Sequence, residues 1–110
     1  MMIRVFAVSA LAAVGVIIPT VFTLAQGLSE ADLKRYGEQL SQECLTCHRR
    51  DGKDVGVPPI VDLSREEFVK ALQLYRTGLR SNPIMVSVAS TLDDEQIEAL
   101  ALYFSTLNKP

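Results

Sequence analysis

Two cysteines and a histidine stand together in the segment Cys44-Leu45-Thr46-Cys47-His48. The C-x-x-C-H spacing is the signature of covalent haem attachment. Each thiol would add across one vinyl group of the macrocycle to form a thioether. The imidazole of His48 would then bind the iron as an axial ligand. The segment therefore predicts one covalently bound haem c, with Cys44 and Cys47 as the attachment residues.

Three other chemistries share this spacing: half of a zinc site, a redox-active dithiol and a disulfide. The chain has two cysteines and one histidine, all within this segment. Structural zinc takes four Cys or His ligands, so a site here would need further ligands from elsewhere. A thioredoxin-like dithiol expects a βαβ setting, and no alternating strand pattern is present. A disulfide across two residues would constrain little, so haem is favoured.

A six-coordinate haem iron would need a second axial ligand from the rest of the chain. Beyond residue 25, Met85 is the only methionine, and no second histidine or further cysteine is present. A lone methionine is usually core packing, but a haem iron makes Met85 the candidate distal ligand. It follows Asn82-Pro83, a turn signal, so we expect it on a proline-bearing loop that approaches the opposite face of the haem.

The loop after His48 ends in two prolines, Pro58 and Pro59. A metal-bound imidazole usually donates its other N–H to an acceptor that fixes the ring. A carbonyl in this stiff loop could serve as that acceptor. The alternative is a loop simply punctuated by proline, and spacing alone does not decide between them.

The elements that must position these groups are predicted to be helices. The first begins at Ser29, the second at Ser64 with Glu67 in a capping box, and the last after Asp93 with Gln96 as its capping partner. Apolar residues with helical spacing are expected to form the core and the haem wall: Phe68, Leu72, Tyr75, Ile97, Leu100, Ala101, Phe104 and Leu107.

Gly37 interrupts the first predicted helix. Glycine in a helix interior costs about 1 kcal/mol relative to alanine. Close approach of another helix would explain it, with Tyr103 of the last helix as a candidate contact. A tolerated weak spot explains it equally well.

Residues 1–25 have the pattern of an export signal. A single positive charge, Arg4, precedes an apolar run from Val5 to Ala25. Small residues before Gln26 favour cleavage after Ala25. The run is also long enough to span a bilayer, so an uncleaved membrane anchor is the alternative. We therefore expect two parts, a leader at 1–25 and a domain at 26–110, with the domain in the periplasm or anchored facing it.

The predicted mature chain is mildly acidic. It has ten Lys and Arg against thirteen Asp and Glu, a net charge of −3. This balance argues against a nucleic-acid partner. Arg49, Arg50 and Lys53 form the only basic cluster, next to the haem motif. They would either face an acidic partner or form a solvated loop, which is the simpler interpretation.

The order of these features resembles a class I monohaem cytochrome c over essentially all of residues 28–108. The resemblance implies that Cys44 and Cys47 hold the haem, that His48 and Met85 are the axial ligands, and that Pro58 supplies the carbonyl to the histidine.

It also implies that Gly37 and Tyr103 are the contact pair of the first and last helices. The segment from Tyr75 to Met85 is similar to the haem subunit of flavocytochrome c sulfide dehydrogenases and to small bacterial cytochromes. Arg49 departs from the family, which often has glycine there.

The resemblance implies an all-α cytochrome c fold of three to four helices around the haem. Its function would be that of an exported one-electron carrier, not an enzyme, with a dehydrogenase as donor and an oxidase or another cytochrome as acceptor. The alternative is a tightly bound haem subunit of a larger periplasmic oxidoreductase, for example one that oxidises sulfide or another sulfur compound. A third interpretation, a haem sensor or peroxidase with an open iron position, requires that Met85 does not bind the iron.

Overall fold

The computed structural model describes residue 15 and residues 27–107. Residues 27–107 form four α-helices and no strand. The helices are α1 (Glu30–Cys44), α2 (Arg65–Arg76), α3 (Pro83–Ser90) and α4 (Asp94–Leu107). The predicted all-helical class is confirmed. Apart from Gly15, the predicted leader lies outside the described residues, so its cleavage remains a prediction.

The predicted helix starts are confirmed by their capping contacts. The Ser29 hydroxyl accepts the backbone N–H of Asp32 at 3.1 Å. Ser64 and Glu67 form the reciprocal capping box at the start of α2. These contacts satisfy N–H groups that have no partner within the helix. Local sequence chemistry therefore sets where α1 and α2 begin.

The crossing of α1 and α4 has almost no side-chain layer. A Cβ atom placed on Gly37 would lie 1.9 Å from the carbonyl oxygen of Ala99 and 3.0 Å from Cβ of Tyr103. Only glycine permits such a backbone approach. The expected close approach at Gly37 is present, with Tyr103 beside it. The crossing fixes the end of α1, and hence Cys44, relative to α4.

Helix α2 also packs on α4 through aromatic contacts. The rings of Phe68 and Phe104 stack with centroids 5.3 Å apart. Ile97, Leu100 and Phe104 are almost completely buried. Burying each such side chain contributes about 1.5–3 kcal/mol of stability. Helix α4 is thus the central element of this small core.

The expectation that Met85 lies on a loop is wrong. Residues 83–90 form α3, and Met85 lies in its first turn. The Asn82 side-chain oxygen accepts the N–H groups of Ile84 and Met85 at 3.1 and 3.0 Å. Proline follows at the first helical position, where its missing N–H costs nothing. Asn82-Pro83 is therefore a helix start and not a simple turn.

Within residues 27–107, none of the helices combines the length and apolarity needed to cross a bilayer.

Candidate functional site

The C-x-x-C-H segment continues directly from α1. Cys44 is the last residue of the helix, and the chain then turns tightly, with the N–H groups of Cys47 and His48 donating to the Cys44 carbonyl at 3.3 and 2.9 Å. Cys44 is half-buried, Cys47 is exposed and His48 is buried. One helical end and one turn thus hold both thiols and the imidazole within a few residues of each other.

The orientation of the His48 ring is fixed by the proline loop. Its Nδ1 lies 2.6 Å from the carbonyl oxygen of Pro58. A carbonyl can only accept, so Nδ1 carries the proton and donates it. In the neutral imidazole with this tautomer, Nε2 has the lone pair, and this is the form that binds a metal. Of the two prolines considered from the sequence, the structure places Pro58 in this contact.

The predicted site residues all line one cavity of about 550 Å³. Cys44, Cys47, His48, Pro58 and Met85 contribute to its wall. The volume lies within the range of about 300–1,000 Å³ common for cofactor and ligand sites. The structure therefore brings together residues that are up to 41 positions apart in the sequence.

The remaining wall is mostly apolar. It includes side chains from α2, α3, α4 and the loops that join them: Val57, Pro59, Ile60, Leu63, Phe68, Ala71, Leu72, Leu74, Tyr75, Ile84, Val88, Leu92 and Leu100. Phe68, Leu72 and Tyr75 form the predicted apolar stripe of α2. An apolar enclosure with two thiols, an imidazole and a thioether suits a large flat macrocycle with a central metal. The donor set therefore fits a covalently held haem.

Met85 reaches the cavity from α3. It is partly buried, and its backbone N–H is held by Asn82. A thioether is a soft, neutral donor that a buried site accepts without a charge penalty. The helical cap thus places a potential iron ligand on the wall, from a different part of the chain than His48.

The Cys44 thiol is not activated as a redox dithiol would be. Burial, with a smaller contribution from the negative charge of Glu43, raises its pKa to about 11. Reactive C-x-x-C thiols instead have lowered pKa values. The two cysteines are not joined by a disulfide. The surroundings of Cys44 therefore argue against the dithiol alternative.

The zinc alternative has no counterpart in the structure either. Across residues 27–107, no three or more His, Cys, Asp or Glu side chains are grouped so that they could hold a metal ion. A zinc site would need such a group.

The basic cluster after the motif is not a free patch. Arg49 donates to Asp51 at 2.9 Å, and these hydrogen bonds hold the pKa of the Asp51 carboxyl below its usual value. Arg50 donates to the hydroxyl of Tyr103 at 2.8 Å. The second contact joins the loop beside His48 to α4, and no sequence pattern predicted it.

Sequence reasoning also missed part of the cavity wall. Lys70, Arg80, Ile84, Val88 and Leu92 all contribute to it. Val88 lies three residues after Met85 and shares its face of α3. Recognition of α3 as a helix would therefore have found it.

Several known proteins match the sequence significantly, and three of them are described here by their similarity to this chain. The chain is 37% identical over 90 residues to a cytochrome c-553 of Helicobacter pylori, an alignment that covers 79% of this chain and 90% of that protein. It is 34% identical over 74 residues to the cytochrome subunit of sulfide dehydrogenase of Chlorobaculum tepidum, covering 66% of this chain and 67% of the relative.

The third match is to a thiosulfate dehydrogenase electron acceptor of Stutzerimonas stutzeri, 34% identical over 70 residues. That alignment covers 61% of this chain but only 32% of the relative. No protein-family model matches the chain. No solved structure matches it significantly.

Proposed function

Because this chain belongs to the small monohaem c-type cytochromes, we propose that it is an exported one-electron carrier whose haem iron is bound by His48 and Met85. Proteins of this group transfer electrons and are not catalysts, and their cofactor is covalently bound haem c. In this proposal Cys44 and Cys47 form the thioethers. One observation carries it: these four residues line a single cavity.

The chain's own residues explain why such a site would transfer electrons and not bind substrate. His48 is held by Pro58 with Nε2 available, and Met85 is held by the cap of α3. With both residues holding the iron, no site would remain on it for a substrate. The apolar wall excludes water, and a thioether ligand raises the reduction potential relative to a second histidine. When bound, the haem supplies reversible one-electron oxidation and reduction.

The rigidity of the wall supports the same function. Phe68 and Leu72 on α2 and Leu100 on α4 belong to the buried core as well as to the cavity. Close-packed side chains move little. If the ligands and the wall stay in place in both redox states, the reorganisation energy of electron transfer is small. Cys47 is exposed, so the attachment side of the cavity reaches the surface.

The proposed chemistry predicts the class of protein with which this chain would interact. A carrier of this kind needs a redox protein as donor and another as acceptor. The names of two relatives favour a second candidate function, a haem subunit or acceptor that takes electrons from oxidation of a sulfur compound. In either case the predicted leader would place the haem domain in the periplasm.

Visible spectra of the exported, haem-loaded protein in both redox states test the proposal. We expect a covalent low-spin haem with a methionine-to-iron charge-transfer band in the oxidised form. Met85→Ala removes that band because it removes the thioether. Val86→Ala, on the same helix but outside the cavity wall, is the matched control and keeps the band. A high-spin oxidised wild type that binds small ligands readily would contradict the carrier and favour the sensor or peroxidase interpretation.

Attachment is tested separately. Cys44→Ala and Cys47→Ala each remove one thioether and lower the yield of covalent haem. Retention of wild-type covalent haem in either variant would refute the assignment of that cysteine. Co-purification with a flavin- or molybdenum-containing chain would favour the subunit over the free carrier.

A further inference from the structure

The orientation of the His48 ring depends on the loop that follows it in the chain. Residues 49–57 connect His48 to Pro58, whose carbonyl oxygen lies 2.6 Å from Nδ1. The histidine and its acceptor therefore stand at the two ends of one segment. A movement of this loop against the helices would change the distance and the angle of the hydrogen bond. Groups that hold the loop in place thus act on the imidazole through Pro58.

The hydrogen bonds inside the loop fix its local shape. The Asp51 carboxylate accepts from the Arg49 side chain at 2.9 Å and from the Lys53 N–H at 3.1 Å. The Asp54 carboxylate accepts from the Gly56 N–H at 2.9 Å. Each of these contacts joins residues two positions apart. They therefore do not determine where the loop lies against the helices.

Arg50 joins the loop to α4. It is an exposed residue, and its guanidinium donates at 2.8 Å to the hydroxyl of Tyr103, which lies 53 positions away in the sequence. Tyr103 is only 4% exposed and lies beside the crossing of α1 and α4, where close packing permits little movement. A second contact of the loop is apolar, because a Cβ on Gly52 would lie 3.3 Å from Cγ2 of the buried Val61.

The Arg50 contact has the directionality that the apolar one lacks. A hydrogen bond from a charged donor is stronger than one between neutral groups, and the guanidinium presents its donors in a fixed plane. We propose that Arg50 is a positioning residue for His48: its bond to Tyr103 anchors the loop on α4 and so keeps the Pro58 carbonyl on Nδ1. The role of the ring as an iron ligand rests on the proposed function.

The anchor has a consequence for the redox equilibrium. A hydrogen bond from Nδ1 makes the imidazole more basic, and a more basic ligand favours the oxidised iron, which carries one more positive charge. A loosened loop would therefore raise the ratio of reduced to oxidised protein. Loss of the Arg50 charge by itself would lower that ratio, because a nearby cation disfavours the oxidised form. Tyr103→Phe breaks the contact without changing the charge, so it isolates the positioning effect.

The experiment follows the Nδ1 proton of His48 by ¹H–¹⁵N NMR in the reduced, haem-loaded protein, together with the reduction potential. The exchange rate of this proton with water reports on its hydrogen bond to Pro58. The test variants are Arg50→Gln, Arg50→Lys, Tyr103→Phe and the double variant Arg50→Gln/Tyr103→Phe. Visible spectra first establish that the wild type carries a covalent low-spin haem.

Two variants serve as matched controls. The Tyr36 hydroxyl accepts from Gln96 at 3.1 Å and joins α1 to α4 away from the loop. Tyr36→Phe thus makes the same chemical change as Tyr103→Phe and leaves the loop anchored. Lys53→Gln removes a positive charge from the same loop and keeps the backbone N–H that Asp51 accepts.

We expect the Nδ1 proton to exchange about fivefold faster in Arg50→Gln and in Tyr103→Phe, which is the effect of one hydrogen bond of ordinary strength. The double variant should exchange no faster than either single variant, because both break the same contact. Tyr103→Phe should also raise the ratio of reduced to oxidised protein at fixed ambient potential. Arg50→Lys should restore slow exchange in part, because it keeps the charge and a donor.

Both controls should leave the exchange rate of the Nδ1 proton unchanged. Wild-type exchange in Tyr103→Phe would overturn the proposal, because the anchor would then have no effect on the ring. Equal acceleration in Tyr36→Phe would also overturn it, because the cause would then be a general loosening of the fold. A wild type without covalent low-spin haem would refute the proposed function; the exchange rates would still decide the role of Arg50, since Nδ1 faces Pro58 whatever group Nε2 binds.

Discussion

The backbone contact between α1 and α4 leaves no room for a side chain at Gly37. A Cβ atom there would lie 1.9 Å from the Ala99 carbonyl oxygen, whereas ordinary contact begins at 3.4 Å, so Gly37→Ala would require a local separation of about 1.5 Å. The atom in the way belongs to the backbone and cannot rotate aside. Cys44, the first of the two proposed attachment residues, ends the same helix.

The size of the effect follows from two opposing contributions. Overpacking of a well-packed contact typically costs about 1–3 kcal/mol, and a backbone clash lies at the upper end of this range. Alanine recovers about 1 kcal/mol because its helix propensity exceeds that of glycine. We therefore expect Gly37→Ala to lower the free energy of unfolding by about 2 kcal/mol, or the melting temperature by about 10 °C.

Urea unfolding of the haem-loaded protein, followed by far-UV circular dichroism, measures this change. Gly27→Ala is the control, because a Cβ at Gly27 would meet no atom within 4 Å. We expect the control to retain wild-type stability. Equal stability of Gly37→Ala and Gly27→Ala would refute the proposed backbone crossing.

Three further predictions concern contacts that hold the site. Asn82→Ala removes the cap of α3 and should lower the free energy of unfolding in urea by about 1 kcal/mol. Ser81→Ala is the control, because it changes the neighbouring residue and leaves the cap in place, and it should change the stability little. Equal effects of the two substitutions would contradict the capping role of Asn82. Tyr103→Phe removes the hydroxyl that accepts from Arg50 and should cost about 1 kcal/mol; no change in stability would show that this contact does not hold the loop. The pKa of Glu67 is lower in the folded protein than in the unfolded chain. Its carboxylate therefore stabilises the fold at pH values above the usual Glu pKa, and this stabilisation is lost as the pH falls through the folded pKa. Glu67→Gln should flatten the acid side of a plot of stability against pH, and an unchanged plot would contradict this.

The helix starts were predictable because they depend on residues three positions apart. Ser64 and Glu67 satisfy each other's backbone N–H groups whatever the rest of the chain does. The start of α3 was missed although it uses the same chemistry. Asn82-Pro83 suits both a turn and a helix start, and the choice depends on packing of α3 against α2.

The metal-site candidates were predictable for a different reason. Cysteine, histidine and methionine are so scarce in this chain that few combinations exist. The contacts that orient them were less accessible to sequence reasoning. The Arg50 to Tyr103 bond joins residues 53 positions apart, and neither residue type signals the other. The Arg80 guanidinium carbon lies 5.0 Å from the centre of the Tyr75 ring after the turn at Gly78, whose direction the sequence does not specify.

The central claim is that His48 and Met85, which line one cavity, would both bind the iron of the same haem. Proton NMR of the reduced, haem-loaded protein, labelled with ¹³C in the methionine methyl groups, tests it most directly. A methyl group bound to the iron lies over the macrocycle, and its ring current shifts the resonance far upfield of any ordinary methyl signal. We predict one such resonance in the wild type, absent from Met85→Ala and retained in Val86→Ala. A Met85 methyl resonance at its ordinary position in the wild type would contradict the account.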